Sequence, residues 1–405
     1  MGAVDDLRRC PCCGKAKVKI GEETSEHYDW RPASLVRVQT ARIKYAPDCT
    51  CEGGQIVIGS PTATATPIKK GLAGPGLLAH VVVSKYADHM PLNRLEEGFE
   101  RQGVHIALST MCDWIEQAAD LLRPITDAMA KAALGAHRIH TDDTGIPVQA
   151  KGSTHKGHVW VYVADDEFVV FRYTSRRKSD GPREFLKGYT GYIQADAANL
   201  YARLFGMIPK GRQQRKWDAG RTPGVASSKR KPPDRDRALI GLGFIKKLYE
   251  ADRAAMKLAP SRRTAERARL CMPVLEAFKV WLDAEALVVL PKAPIADAIG
   301  YARNQWSALR RFVEDARLRL DNNVAERQLR RVAVGRKNWL FAGSEDGAER
   351  GCVLYSLLAT CKLHGVNPFN YLRDVLVRID SHAAHDVLAL SPKTWKEKLQ
   401  NLNAP

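Results

Sequence analysis

What this chain lacks narrows its class. It carries no apolar run long enough to span a bilayer, no signal peptide and no lipidation motif, so a cytoplasmic protein with no membrane partner is expected. No glycine-rich phosphate loop is present, and no Ser, His and Asp stand in a nucleophile context; nucleotide hydrolysis and serine-type acyl transfer are not indicated. No repeat recurs at a fixed period. Acidic residues are in deficit: 45 Asp plus Glu face 63 Lys plus Arg, a formal charge of +18. That surplus exceeds what solubility requires and predicts a polyanionic partner, nucleic acid first.

With 45% hydrophobic residues over 405 positions, the chain has material for a globular protein of roughly two to four units. Five of its nine cysteines crowd near the start, at Cys10, Cys12, Cys13, Cys49 and Cys51. Clustering favours a metal site over a disulfide scaffold, and four thiolates from two turns suit tetrahedral zinc. Residues 1–60 are therefore expected to be a small zinc-binding β module using Cys10, Cys13, Cys49 and Cys51, with Cys12 a spectator; unliganded buried thiols are the alternative. A Thr-, Ala- and Pro-rich linker at 61–75 follows, then apolar positions at helical spacing over 76–134.

Strand-like runs come next: Ile139–Ala150, His158–Ala164, Glu167–Thr174 and Gly191–Asp196, the last followed by a helical stretch. They predict an α/β core of three meandering strands and a further one. Helical patterns return at 239–290 and 297–318, then at 323–334, and a helical tail fills 346–405.

Three acids stand out, each with an ordinary alternative. Asp142 and Asp143 lie in a strand where His140 and Asp142 share a face; an Asx turn would also explain them. Asp196 ends an apolar strand and would serve as a helix N-cap. Glu326 can be the third-position partner of an Asn323 capping box. Together they acquire a chemistry, because phosphodiester cleavage uses two metals roughly 4 Å apart that three carboxylates can hold. The basic run after Glu326, with Arg327, Arg330, Arg331, Arg336 and Lys337 ending at Trp339 and Phe341, can neutralise phosphates and stack on a base; a solvated face is the alternative.

These residues resemble the transposases of the insertion sequence 66 family over most of the chain. Cys10-Pro-Cys-Cys13 to Cys51 resembles the family's zinc module; Lys85-Tyr-Ala-Asp-His-Met-Pro-Leu92 and Ser109-Thr-Met-Cys-Asp-Trp114 its helical segment. His140-Thr-Asp-Asp-Thr144, Gly191-Tyr-Ile-Gln-Ala-Asp196 and Leu320-Asp-Asn-Asn-Val-Ala-Glu-Arg327 resemble its three acid motifs, the last with Gly335 to Gly343; Thr360 to Pro368 with Tyr371-Leu-Arg373 resembles its tail. The resemblance implies an Asp-Asp-Glu transposase in which the leading acid of the first motif is catalytic, hence Asp142 rather than Asp143. Three departures stand beside it: the leucine-zipper-like helix usual ahead of the zinc module has no counterpart before Cys10, the second cysteine pair is narrower, and a Cys-Trp-Ala-His-Ala-Arg-Arg stretch is missing after Asp196.

The expected architecture is an α/β ribonuclease H-like catalytic domain over 135–345, with a helical insertion at about 239–318. The expected activity is DNA cleavage at transposon ends and strand transfer. Asp142, Asp196 and Glu326 would ligate Mg²⁺ (or Mn²⁺), and Arg327, Arg330, Arg336, Lys337 and Trp339 would contact double-stranded DNA. A homo-oligomer on DNA and accessory proteins of the element are the implied partners. The rivals are a nuclease that cuts without joining and a zinc-containing DNA-binding repressor. One segment breaks the pattern: from Gly211 to Arg237 the hydrophobic periodicity disappears, and Lys210–Arg237 holds ten Lys or Arg against three Asp. Asp218 to Ser228 can be written in codons that, entered two bases later, give Cys-Trp-Ala-His-Ala-Arg-Arg. A flexible DNA-binding loop would explain the basic run; the codon relation instead leads us to expect that about 211–237 are read out of frame, form an irregular loop and leave transposition poor or absent.

Overall fold

The computed structural model describes residue 35, residues 44–45, 57–58, 67–68, 71–178, 180–195 and 213–215, and residues 232–402. The chain divides into two units, Met1–Thr40 and Ala41–Pro405, and the elements below all lie in the second. Two short strands, β1 (Lys44–Tyr45) and β2 (Val57–Ile58), pair antiparallel. Cys10, Cys13, Cys49 and Cys51 lie outside the described residues.

Helices α1 (Pro75–Tyr86), α2 (Leu92–Glu100) and α3 (Leu108–Ala133) make up the helical stretch. Met111, Ile115, Ala118, Ala119, Leu122, Ile125 and Met129 repeat at three and four along α3, and that stripe is buried.

The sheet follows. β3 (Arg138–Ala150), β4 (Ser153–Ala164) and β5 (Phe168–Thr174) form an antiparallel meander, and β6 (Tyr192–Ala195) runs parallel to β3. The order is β5-β4-β3-β6-β7, the last being the short strand Gln213–Arg215. From Val159 to Ala164 every residue of β4 is buried, as befits a strand covered on both faces. The β4–β5 turn places both Asp165 and Asp166 at positive φ, the backbone of a tight hairpin turn matching the strand twist. β4 begins five residues earlier than its hydrophobic run, because Ser153 to Lys156 pair with β3 outside the packed core.

Two faces are dressed differently. On one, Asp142, Val161 and Phe171 stand in a row across the register. There α9 (Asn323–Trp339) and α10 (Glu345–Leu363) pack on the sheet, α10 against α3 as well. On the other, the short helix α4 (Asp180–Phe185) covers β4 by stacking Phe185 on Tyr162. Helix α11 (Pro368–Arg378) packs on α1, and α12 (Pro392–Leu402) on α10.

Between β7 and α9 stands a helical body: α5 (Pro232–Ala255), α6 (Pro260–Val288), α7 (Pro294–Asn304) and α8 (Trp306–Leu309), then a 3₁₀ turn at Arg310–Val313. Its core includes Leu248, Leu275, Phe278, Leu282, Ile299 and Phe312. The first helix begins at Pro232 rather than near residue 239, since Pro fits the opening turn of a helix. Within the segment expected to be an irregular loop, Gln213–Arg215 form a strand beside β6 and residues 232–237 open helix α5, so those parts are regular; residues 211–212 and 216–231 lie outside the described residues.

Candidate active site

The parallel pairing of β3 and β6 opposes Arg138 to Tyr192, Ile139 to Ile193 and His140 to Gln194. Two residues after His140 comes Asp142; two after Gln194 in the chain comes Asp196, which lies outside the described residues. The first two acid motifs therefore rest on adjacent parallel strands.

The approach to the third acid is bolted to these same strands. His137 Nε2 lies 2.8 Å from Asp315 Oδ2. Arg138 donates to the Arg317 carbonyl, and Arg138 and Arg319 both reach Asp166 Oδ2, at 3.1 and 2.7 Å. Gln194 Nε2 donates to the carbonyls of Arg319 and Asp321, each at 2.7 Å. Asn322 Nδ2 donates to the Thr141 carbonyl at 3.0 Å, while Asn322 Oδ1 stands 2.9 Å from His140 Nδ1. Residues 315–322 thus climb along β3 and end where Asp142 begins, with Glu326 on the first turn of α9. Further back, the buried Arg267 of α6 donates to the carbonyls of Phe312, Asp315 and Leu318, tying the helical body into the same run.

The Asn322 amide fixes a tautomer. Because its nitrogen donates to Thr141, its oxygen must accept from His140, so the imidazole carries its proton on Nδ1. Burial, with Arg138 nearby, pushes the His140 pKa down to about 3, and the ring is neutral. Its Nε2 lone pair and the Thr141 hydroxyl are buried with no hydrogen-bond partner among the described residues.

The twin aspartates have different surroundings. Asp143 points to the opposite face, with its carboxylate 3.0 Å from His158 Nδ1 and held by Arg177 at 2.9 and 3.0 Å. Asp142 is on the His140 side, half-buried, and its Oδ1 accepts from the Asp143 N–H at 2.8 Å. The Asn323 capping box is replaced: Asn322 occupies the cap position, its side chain is spent on β3, and Glu326 falls one place beyond the box partner. Among the described residues no three His, Cys, Asp or Glu side chains form a metal-sized group. The expected set includes Asp196.

Along α9, Arg327, Arg330 and Lys337 are exposed. Arg336 instead turns to the sheet, donating to the Gly145 carbonyl and to Thr144 Oγ1. Trp339 lies edge-on to Tyr86 at 6.1 Å with the Lys85 ammonium over its ring at 5.4 Å. The Asn322 and Gln194 contacts are absent from the candidate residues named from sequence. Their only sequence signal is that His140 and Gln194 sit two places before the acids, on alternating strand positions.

Among the described residues no helix is long and apolar enough to cross a membrane. The model of the transposase IS66 family matches residues 70–350, that of the IS66 C-terminal element residues 356–392, and that of the zinc-finger binding domain of transposase IS66 residues 8–52, which contain all four candidate zinc thiolates. Relatives include two Sinorhizobium fredii proteins described as uncharacterized. Protein y4hP is 31% identical across 96% of this chain and 73% of its own length. Protein y4qI is 31% identical across 95% and 73%. The chain belongs to the IS66 family of transposases.

Proposed function

We propose that this transposase cuts DNA at the ends of a mobile element and joins the freed 3′ hydroxyl to target DNA, using Asp142, Asp196 and Glu326 on a ribonuclease H-like core. The observation that carries this reading is the docking of residues 319–322 onto Gln194, His140 and Thr141, the residues just ahead of Asp142 and Asp196. Three acids far apart in sequence would have their supporting elements fastened together by buried hydrogen bonds.

The donor set fits hard divalent cations such as Mg²⁺ or Mn²⁺, because carboxylate oxygens are their preferred ligands. When bound, such metals activate the attacking oxygen and stabilise the leaving one. The chain's own contribution is placement. Asn322 holds the start of α9 to β3, neutral His140 shares the strand face of Asp142, and Arg177 with His158 holds Asp143 on the other. Arg327, Arg330 and Lys337 would track phosphates. Cys10, Cys13, Cys49 and Cys51 would hold one structural zinc, whose removal by chelator should unfold the amino-terminal module.

Labelled duplexes from the DNA flanking the reading frame test the activity. Metal-dependent cleavage and joined product are expected, both lost in Asp142→Asn and Glu326→Gln. Cutting without joining would favour the nuclease, and binding without cutting, if it persists after the Cys-Trp-Ala-His stretch is restored, the repressor. The out-of-frame reading of 211–237 belongs to the same proposal: a gene edited to restore the Cys-Trp-Ala-His stretch should transpose better than the present one. Codons that cannot yield that stretch in another frame would refute it.

A further inference from the structure

Helix α9 ends in a conformation that costs energy. Leu340 stands at φ 65°, ψ −50°, and the Phe341 N–H donates to the Trp339 carbonyl at 2.7 Å. This is the strained hand of the γ-turn, centred near roughly +75° and −65°. A side chain at positive φ is unfavourable and persists where its surroundings over-determine it. Both sides do so here. Upstream, the Leu340 N–H donates to the Arg336 carbonyl at 3.0 Å; downstream, Ala342 is stitched to β3, its N–H to Pro147 O at 2.9 Å and its carbonyl to the Gln149 N–H at 2.8 Å. A helix stop with no other duty is met by Gly, which carries no such strain.

The fixed turn holds apolar groups outward. Leu340 is 67% exposed and Phe341 41%. Trp339, the aromatic expected to meet a base, folds the other way: a Cβ on Gly335 would lie 2.3 Å from its ring, so the glycine makes room for it to lie back against its own helix beside Tyr86. The group offered to a partner at this end of the helix is therefore Leu340, three residues after the exposed Lys337 and capping the helix that carries Arg327 and Arg330.

We propose that Leu340 is a wedge that enters the base stack of duplex DNA lying along α9, with Phe341 beside it. Apolar side chains inserted between base steps unstack and kink a duplex whose phosphates are held by neighbouring cations. The helix's exposed cations and the chain's charge of +18 favour DNA as the occupant over a second copy of this chain. The inference rests on the reading of α9 as a DNA-facing helix.

The test uses the full chain and short duplexes from the DNA flanking the reading frame, each with a single 2-aminopurine, whose fluorescence rises when its neighbours unstack. Anisotropy in the same titration reports binding. A several-fold rise confined to one or two positions is expected, lost in both Leu340→Ala and Leu340→Gly while the duplex still binds. Leu340→Gly should also raise the thermal midpoint, because Gly relieves the positive φ; a more stable protein that no longer unstacks DNA is the signature of strain kept for function. Binding with silent probes at every position, or a rise that survives both substitutions, overturns the wedge alone. A change in sedimenting mass with the fluorescence rise intact makes Leu340 a subunit contact and also overturns it. Failure to bind any duplex overturns the DNA-facing reading beneath it.

Discussion

Two buried polar seams touch the sheet, and they are finished differently. At its β5 edge, the Phe171 N–H donates to Ser356 Oγ at 2.8 Å, and that hydroxyl donates to Cys352 O at 2.7 Å. One turn on, the Val169 N–H donates to Thr360 Oγ1 at 3.1 Å, and Thr360 donates to Ser356 O at 2.8 Å. Donors and acceptors match, and the edge strand is sealed by α10. At β3 and β6 the side chains of His140, Gln194 and Asn322 are as deeply buried, yet His140 Nε2 and Thr141 Oγ1 find no partner among the described residues. An orphaned buried polar atom costs about 1–3 kcal/mol, so the β3 seam is the less fully satisfied of the two. The α10 seam is closed; the β3 seam holds and leaves the His140 Nε2 acceptor open on the strand face that carries Asp142.

The largest expected effect separates the two outright. Asp142→Asn and Glu326→Gln should each slow strand cleavage by at least about 10²–10³-fold, the scale of losing one preorganised group at a developing charge. Thermal midpoints should stay near that of the parent. Thr360→Val should leave the cleavage rate intact. Cleavage that survives Asp142→Asn would remove any catalytic distinction between the two seams.

Next in size is a contrast in stability against rate. Asn322→Ala leaves the His140 N–H and the Thr141 carbonyl unpaired and should cost about 1–3 kcal/mol in denaturant unfolding. Thr360→Val should cost a similar amount. Only Asn322→Ala should also lower kcat where both variants are fully folded, with duplex affinity little changed. Equal kcat values would reduce the β3 seam to a structural one.

Much of this was legible beforehand. The runs at Ile139, His158, Glu167 and Gly191 announce the strands because β-branched and aromatic residues alternate there or fill a doubly covered strand. The start of β4 was hidden, since Ser153 to Lys156 pair with β3 without burying apolar surface. Choosing between Asp142 and Asp143 was beyond periodicity alone: alternation sets them on opposite faces but does not say which face meets α9. Adjacent Asn322 and Asn323 posed the same difficulty, resolved by long-range bonds to His140 and Thr141. Trp339 carried a usable clue in Gly335, one helical turn earlier, where a missing side chain leaves room for a ring.

The smallest effect concerns the cations. Arg330→Ala and Lys337→Ala should each flatten the slope of log affinity against log salt by about 0.9, as expected when one phosphate contact is lost. Arg336→Ala should leave that slope alone and lower stability instead, because its guanidinium is turned to the sheet, with Nη1 donating to the Gly145 carbonyl and Thr144 Oγ1. Anisotropy titrations at several salt concentrations measure the first, and thermal unfolding the second. A flattened slope for Arg336→Ala would place it among the DNA contacts.

The residues fastened together around Asn322 should present Asp142, Asp196 and Glu326 to divalent metal. Anomalous scattering at the manganese edge from crystals grown with Mn²⁺ tests it most directly. A peak coordinated by the Asp142 and Glu326 carboxylates is expected, abolished in Asp142→Asn while Thr360→Val retains it. Manganese bound elsewhere, with neither carboxylate among its ligands, in a protein whose DNA cleavage requires that metal would contradict it.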